Sequence, residues 1–294
     1  MSHILKNKNL EIQIDLPIEN YNAARFDWTG KILNVKFQNI QLASCESITA
    51  KNETQIGKGF YNEFGIDTAL GFNEAAIGGW FHKIGVGLLR KESERYVFSE
   101  NYEIKPAEFE INYTSTSILI TCISVLHNGY SYILRKEIEL QENGFTIHYR
   151  LENTGEKELI TDEYVHNFTA IGKAFINENY ILKFPFQLEP ALFIETVNLE
   201  QKVAVGQTEI KFIGAPKEQF FFSNLSGYKN VEAKWELQNL KHKISISEAG
   251  DFKTNKVNVW GWQHVISPEL FINISLKPGK TKSWTRVYTI SKIA

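Results

Sequence analysis

Two segments of the chain place ionisable side chains beside aromatic rings, and the first of them is 159–168. It reads LITDEYVHNF and ends a period-2 pattern in Tyr-Val-His-Asn-Phe. Its histidine, His166, titrates near neutral pH and can act as a general acid or base. On spacing alone, a single histidine among aromatic residues is more often a core or rim residue, so both interpretations stay open.

The second segment, 257–269, reads VNVWGWQHVISPE. Trp260 and Trp262 project to the same face if the segment is extended. These rings could pack in a core or offer a stacking platform to a sugar, and we predict that one of them lines the cleft that holds His166. Glu269 directly precedes an apolar run, where a lone glutamate is usually solvated. It is the second candidate for proton transfer.

Short runs with period-2 alternation dominate the middle and the end of the chain and predict half-buried strands. Asn-Gly pairs separate the first three runs, at 128–129 and 143–144, and predict tight hairpins. A Lys-Pro-Gly-Lys turn separates the last two runs. The runs cover 117–126, 130–140, 145–151, 243–247, 270–276 and 283–290.

No stretch of ten or more residues has sustained helical periodicity, so the sequence predicts an all-β fold, an antiparallel sandwich or barrel. The Gly-rich segment 57–87 is predicted to form long loops that cross a sheet face, where ligands commonly bind. No Pro/Gly/Ser-rich linker interrupts the chain. We therefore predict a single domain over residues 1–294.

Composition narrows the class of partner. The 294 residues include 32 Lys+Arg and 34 Asp+Glu, a formal net charge of -2, which disfavours nucleic acids and anionic membrane surfaces. The first residues lack the apolar region of a signal peptide, and the longest apolar stretch, 118–126, is half the length of a membrane span. The cysteines Cys45 and Cys122 form no pairing motif. We expect a cytoplasmic protein that acts on a small molecule, as a monomer or weak homodimer.

Motifs for nucleotide or metal binding fail at specific positions. Residues 278–281 (PGKT) imitate the end of a phosphate-binding loop, but Ile274 stands where the first glycine is required. Residues 85–87 (GVG) form half of a dinucleotide fingerprint, with Arg90 in place of the third glycine. There is no His-Glu-x-x-His motif and no Cys/His quartet, so we predict no metal and no organic cofactor.

Several segments, in order along most of the chain, resemble the aldose 1-epimerase (galactose mutarotase-like) superfamily, in its epimerase-related branch. Their order is more specific than any one of them. The segments are 25–30 (RFDWTG), 62–66 (NEFGI), 69–72 (ALGF), 81–89 (FHKIGVGLL), 153–155 (NTG), 166–168 (HNF) and 276–279 (LKPG).

This resemblance implies an antiparallel β-supersandwich and a sugar as the small-molecule substrate. It implies that His166 is the general acid on the ring oxygen and that Glu269 is the general base on the anomeric hydroxyl. Glu63 and the adjacent pair His82 and Lys83 stand, by their order along the chain, where the family has its sugar-binding loop elements. The resemblance therefore implies substrate contacts for them, beside those expected of the two tryptophans. It implies no metal and no cofactor.

The implied reaction is the exchange of α and β anomers of a hexose or related sugar. The ordinary pKa values are about 4.3 for a carboxyl group and 6.5 for an imidazole. At a pH between these values the carboxylate is ionised and can act as the base, while the imidazole is protonated and can act as the acid. By analogy with carboxylate pairs that flank a sugar, we expect the tips of His166 and Glu269 to lie roughly 5–8 Å apart. Two alternatives stay open: a non-catalytic carbohydrate-binding sandwich, and a hydrolase or lyase that pairs Glu269 with Asp162 or Glu163.

Overall fold

The computed structural model describes residues 2–50, 52 and 54–293, and almost all of its regular structure is β-strand. Two 3-10 turns, Phe72–Glu74 and Pro190–Leu192, are the only helical elements in that part of the chain. The strands are β1 (His3–Lys6), β2 (Leu10–Asp15), β3 (Lys31–Phe37), β4 (Ile40–Gln41), β5 (Phe60–Phe64), β6 (Trp80–Lys83), β7 (Gly87–Arg90), β8 (Ile104–Pro106), β9 (Glu108–Tyr113), β10 (Ser117–Ile123), β11 (Tyr132–Gln141), β12 (Gly144–Asn153), β13 (Leu159–Asn167), β14 (Tyr180–Lys183), β15 (Thr196–Val197), β16 (Val203–Val205), β17 (Glu209–Phe212), β18 (Phe220–Phe222), β19 (Val231–Asn239), β20 (Ile244–Thr254), β21 (Val257–Trp262), β22 (Val265–Leu270), β23 (Ile272–Leu276) and β24 (Thr281–Lys292).

Two large antiparallel sheets pack face to face. One has the order β1-β2-β3-β5-β13-β23, with β4 beside β3, and the other has the order β16-β17-β14-β19-β20-β24-β12-β11-β10-β9. Phe60 on β5 contacts rings of the opposite sheet, at 5.6 Å from Phe145 and 5.2 Å from Tyr288 between ring centroids. The buried apolar residues of both sheets form one core. The prediction of an all-β antiparallel sandwich is confirmed.

The predicted hairpins are present. Strand β10 pairs with β11, and β11 pairs with β12 in a register that brings Gln141 opposite Gly144. The turn between β10 and β11 contains Asn128 and Gly129, both with positive φ, as the Asn-Gly signal requires. One predicted strand, 270–276, is divided, because β22 ends at Leu270 and β23 begins at Ile272.

The prediction of long loops over 57–87 is wrong in part, because this segment contains β5, β6 and the start of β7. All five residues of β5, which reads FYNEF, are buried. A strand buried on both faces lacks the alternation by which a half-buried strand is recognised. Its Asn62 and Glu63 are polar, and both form hydrogen bonds inside the protein. The polar residues of this segment are therefore the reason that a central strand was not predicted.

Two smaller sheets complete the architecture, with the orders β6-β7-β8 and β15-β18-β21-β22. Strand β22 lies beside β13, where Thr169 and Ile266 form a β-bridge and the Asn167 side chain donates to the Pro268 carbonyl at 2.7 Å. A side chain at Gly261 would lie 2.3 Å from Phe220 on the neighbouring strand β18, so only glycine permits this packing. No helix in the described residues is long and apolar enough to cross a membrane.

Candidate active site

An open cavity of about 1060 Å³ lies where β13 meets the four-stranded sheet. Successive side chains of a strand point to opposite faces. On β21, Val257 and Val259 face the core and the alternating residues face the cavity. The same alternation on β13 and β22 completes the wall. The strand residues that line it include Tyr164, His166, Asn258, Trp260, Trp262 and Glu269.

His166 is held in one orientation on this wall. Its ring stacks on Phe168 at 4.0 Å and 12°, and Trp260 approaches it edge-on at 5.3 Å. Its Nδ1 is hydrogen-bonded to the Ser267 hydroxyl at 2.7 Å. This contact directs Nε2 to the carboxyl group of Glu269, whose Oε1 lies 3.4 Å away. The two candidate groups are thus direct neighbours, although 103 residues separate them in the sequence.

The stacking of Phe168 under His166 depends on a glycine in another part of the chain. A Cβ at Gly57 would lie 2.3 Å from the Phe168 ring and 2.9 Å from the Phe26 ring. Contacts below 3.0 Å require atoms to move, and both neighbours here are aromatic rings in a packed cluster. The missing side chain at Gly57 therefore allows the ring that supports His166 to lie where it does.

Burial changes the proton affinity of both groups. Desolvation raises the pKa of Glu269 from 4.5 to about 8, although the nearby Arg25 cation opposes the shift. Asn258, directly opposite Glu269 in the ladder, hydrogen-bonds to the carboxyl group and also opposes it. Desolvation lowers the pKa of His166 well below 6.5, and Arg25 lowers it further. The pair consequently holds one proton at neutral pH, and burial favours the uncharged form of both partners.

This order of proton affinities differs from the one expected from ordinary pKa values. The expected separation of 5–8 Å is also wrong, because Nε2 of His166 and Oε1 of Glu269 are only 3.4 Å apart. That expectation came from enzymes in which two carboxylates stand on opposite sides of a sugar ring. Here a ring cannot fit between the two groups and must lie over them.

Arg25 is a cavity residue that sequence reasoning did not select. Its Nε lies 3.0 Å from Glu63 and its Nη1 lies 2.7 Å from Glu46, while Nη2 donates to the Tyr164 hydroxyl at 3.4 Å. The side chain is 14% exposed, so its charge is felt by His166 and Glu269 through little solvent. The available signal was its place at the head of segment 25–30, directly before Phe26 and three residues before Trp28.

The predicted substrate contacts of Glu63 and Lys83 are wrong, because both side chains lie behind the cavity wall. Glu63 faces the same side of the sheet as His166, but Arg25 and the Tyr164 hydroxyl bind its carboxylate and cover it completely. Lys83 is buried beside it, at 3.4 Å from Glu63 and 2.8 Å from the Tyr96 hydroxyl. Glu63 binds Arg25, and Lys83 binds Glu63, so neither side chain faces a ligand.

The predicted contact of His82 is also wrong. His82 is buried away from the cavity, with its ring 5.8 Å from Tyr132 and 6.3 Å from His127. Burial lowers the pKa of His82 to about 4, so it is a neutral core residue. Its order along the chain indicated a position in the site. Only the packing of β6 against these rings shows that His82 lies in the core.

We predicted that one tryptophan lines the cleft, and in the structure both Trp260 and Trp262 line it. Trp260 and Trp262 are half-buried on the cavity wall. The Trp262 indole donates to the Lys217 carbonyl at 2.6 Å, which fixes its plane. The indole of Trp260 donates to Gln219 at 3.4 Å. Both rings therefore offer an apolar surface to a ligand.

Each of the two carboxylates that the hydrolase alternative pairs with Glu269 binds a cation. Glu163 points to the opposite face of β13 from His166 and forms a buried ion pair with Arg286 at 2.7 Å. Asp162 lies 3.3 Å from Lys256. Among the residues that the structure describes, no group of three His, Cys, Asp or Glu side chains is placed to hold a metal ion.

Comparisons with known proteins bear on the fold. No protein-family model matches the sequence, and no curated protein matches it. Among solved structures, a galactose mutarotase related enzyme from Lactobacillus acidophilus aligns over 100% of this chain and 98% of its own, with a TM-score of 0.61 at 13% identity. A galactose mutarotase-like protein from Lactobacillus casei aligns over 99% and 100%, with a TM-score of 0.58 at 12% identity.

A third structure, an aldose epimerase homologue from C. elegans, aligns over 100% of both chains with a TM-score of 0.55 at 11% identity. Structural similarity at sequence identities this low establishes the fold alone. The activity has to be argued from the residues of the site. The chain has the galactose mutarotase-like fold, as the resemblance in its sequence implies.

Proposed function

We propose that this protein is an aldose 1-epimerase-like isomerase that interconverts the α and β anomers of a hexose or related sugar. The observation that carries the proposal is the 3.4 Å contact between Nε2 of His166 and Oε1 of Glu269 on the wall of a large cavity. The mutarotase-like fold of the chain supports the same conclusion.

The short distance fits the chemistry of a hemiacetal. Anomer exchange requires a proton at the ring oxygen O5 and removal of a proton from the hydroxyl oxygen O1. Both oxygens are bonded to the same carbon, C1, so an acid and a base that are adjacent can reach them together. A glycosidase, in contrast, needs its two groups on either side of the sugar ring.

The proton transfers balance within the pair. Transfer of the shared proton from Glu269 to Nε2 of His166, across their 3.4 Å contact, gives the ion-pair form. In this form His166 donates the Nε2 proton to O5 while Glu269 removes the proton from O1. The C1–O5 bond breaks and a C1–O1 double bond forms, which leaves an open-chain aldehyde over a neutral imidazole and a neutral carboxyl group. Rotation about C1–C2 and the reverse transfers close the other anomer. Burial stabilises the uncharged pair, which is the state that accompanies the open chain.

Neighbouring side chains keep the two groups in register. Ser267 holds Nδ1 of His166, and Asn258 binds the carboxyl group of Glu269. Trp260, edge-on to His166, borders the position of the reacting ring. Sugars present an apolar C–H face that an indole can cover. This arrangement keeps a general acid and a general base within hydrogen-bonding reach of O5 and O1, and each contributes roughly 10²–10⁴-fold.

Saturation-transfer NMR of α and β exchange, over a panel of free aldoses, tests the proposal. We expect wild-type protein to accelerate exchange of at least one aldose, and His166→Gln and Glu269→Gln each to slow it by about 100-fold or more. Glu195→Gln, at an exposed residue of the same cavity, is the matched control and retains activity.

Other outcomes distinguish the alternatives. Binding of a sugar without exchange above the buffer rate favours a non-catalytic carbohydrate-binding protein. Cleavage of glycosidic bonds that depends on Asp162 favours a hydrolase. Exchange that persists in His166→Gln contradicts the role of this histidine as the acid.

A further inference from the structure

The cavity is larger than a single sugar ring requires. Its volume of about 1060 Å³ slightly exceeds the roughly 300–1,000 Å³ of cavities that hold drug-sized ligands, and a hexose is smaller than those ligands. His166 and Glu269 occupy only one part of the wall. The remaining space is available to a further portion of the substrate.

Trp262 marks a second binding position beside the reacting ring. It lies two residues beyond Trp260 on β21, so the two backbone positions are about 6.7 Å apart and both side chains leave the same face of the strand. Trp260 contacts His166, whereas the nearest ring to Trp262 is His264, at 5.4 Å. The hydrogen bond from its indole to the Lys217 carbonyl fixes the ring before any ligand arrives. A pre-oriented indole next to a sugar site is suited to stack a second pyranose ring.

The charges of the cavity disfavour a phosphorylated sugar. The cations on the described part of its wall are Arg25 and Lys256, and each already has carboxylate partners. Arg25 binds Glu46 and Glu63, and Lys256 lies 2.9 Å from Asp67 and 3.3 Å from Asp162. Phosphate recognition ordinarily uses arginine or lysine side chains whose charge is not neutralised by other acids.

We infer that the substrate is the uncharged reducing end of a disaccharide or longer oligosaccharide, with its second sugar stacked on Trp262. The requirement for a free reducing end rests on the proposed function, whereas the second sugar position follows from the cavity itself. The inference names a substrate class larger than a free hexose and excludes hexose phosphates.

Calorimetric titration with glucose, cellobiose, maltose, lactose and glucose 6-phosphate tests this inference directly. We expect at least one disaccharide to bind with a Kd about fivefold or more below that of glucose, and glucose 6-phosphate to bind no better than glucose. In Trp262→Leu the ratio of the two Kd values should fall to within about twofold of one, and in Trp262→Phe it should be intermediate. Trp80→Leu, at a half-buried tryptophan outside the cavity, is the matched control and keeps the wild-type ratio.

The binding measurement separates failure of the inference from failure of the proposed function. Equal Kd values for glucose and every disaccharide, or a preference that Trp262→Leu and Trp262→Phe both leave unchanged, overturn the second sugar position. Tighter binding of glucose 6-phosphate overturns the exclusion of hexose phosphates. Disaccharide preference without any anomer exchange in the same samples overturns the proposed function, and with it the requirement for a reducing end, but leaves the second sugar position on Trp262 standing.

Discussion

The protonation state of Glu269 gives a prediction that can be tested without a substrate. Burial raises its pKa from 4.5 to about 8, so the folded protein keeps a proton that the unfolded chain releases between these two pH values. Where the unfolded state binds fewer protons, stability falls as pH rises. At about 1.36 kcal/mol per pH unit, this one group lowers the free energy of unfolding by about 5 kcal/mol between pH 4.5 and 8.

The substitution Glu269→Gln removes this dependence, because an amide has nearly the shape of a protonated carboxyl group and does not ionise. Near pH 5 we expect the variant to lie within about 1 kcal/mol of wild type, the scale of one altered hydrogen bond. At pH 8 and above it should be the more stable protein by several kcal/mol. Urea unfolding of both proteins at pH 5, 6, 7, 8 and 8.5, followed by tryptophan fluorescence, measures the difference.

One control variant and the comparison with wild type isolate the cause. Glu195→Gln, the same substitution at an exposed residue, should differ from wild type by a constant small amount across this range. Ionisable groups that are remote from Glu269 cancel in the comparison of variant with wild type, since they are present in both proteins. A stability difference between Glu269→Gln and wild type that does not change between pH 5 and 8.5 would refute a buried, protonated Glu269.

Three further predictions follow from the site. The rate of anomer exchange should be constant through neutral pH and decline above about pH 8, where Glu269 loses the shared proton. In acid the rate should decline only well below pH 6.5, where His166 gains a second proton for the pair. A pH–rate profile measures both declines. Arg25→Leu should lower the free energy of unfolding by about 3–5 kcal/mol in urea titrations, because it leaves a buried carboxylate short of its partner, and a loss below about 1 kcal/mol would contradict the ion pair. Gly57→Ala should cost about 1–3 kcal/mol in thermal unfolding and reduce exchange, because its methyl group collides with the Phe168 ring that supports the imidazole; unchanged activity and stability would contradict this packing.

Local patterns in the sequence were sufficient for the strands that are half-buried. In β11 buried and half-buried residues alternate along most of the strand, and Asn128 and Gly129 before it have the positive φ values of a tight turn. These signals depend only on residues close in sequence. Strand β5 escaped recognition because it is buried on both faces and because its polar residues are satisfied by partners far along the chain.

What the sequence by itself determined is the all-β fold, the hairpins of its centre and the two segments that carry His166 and Glu269. Tertiary structure decided that these groups are 3.4 Å apart, that Arg25 stands beside them and that Glu63, His82 and Lys83 lie out of reach of the cavity. The reason is physical: the periodicity of a strand is a local property, whereas a pKa depends on burial and on charges that come from remote parts of the chain. The proton that the pair shares is therefore a property of the folded protein.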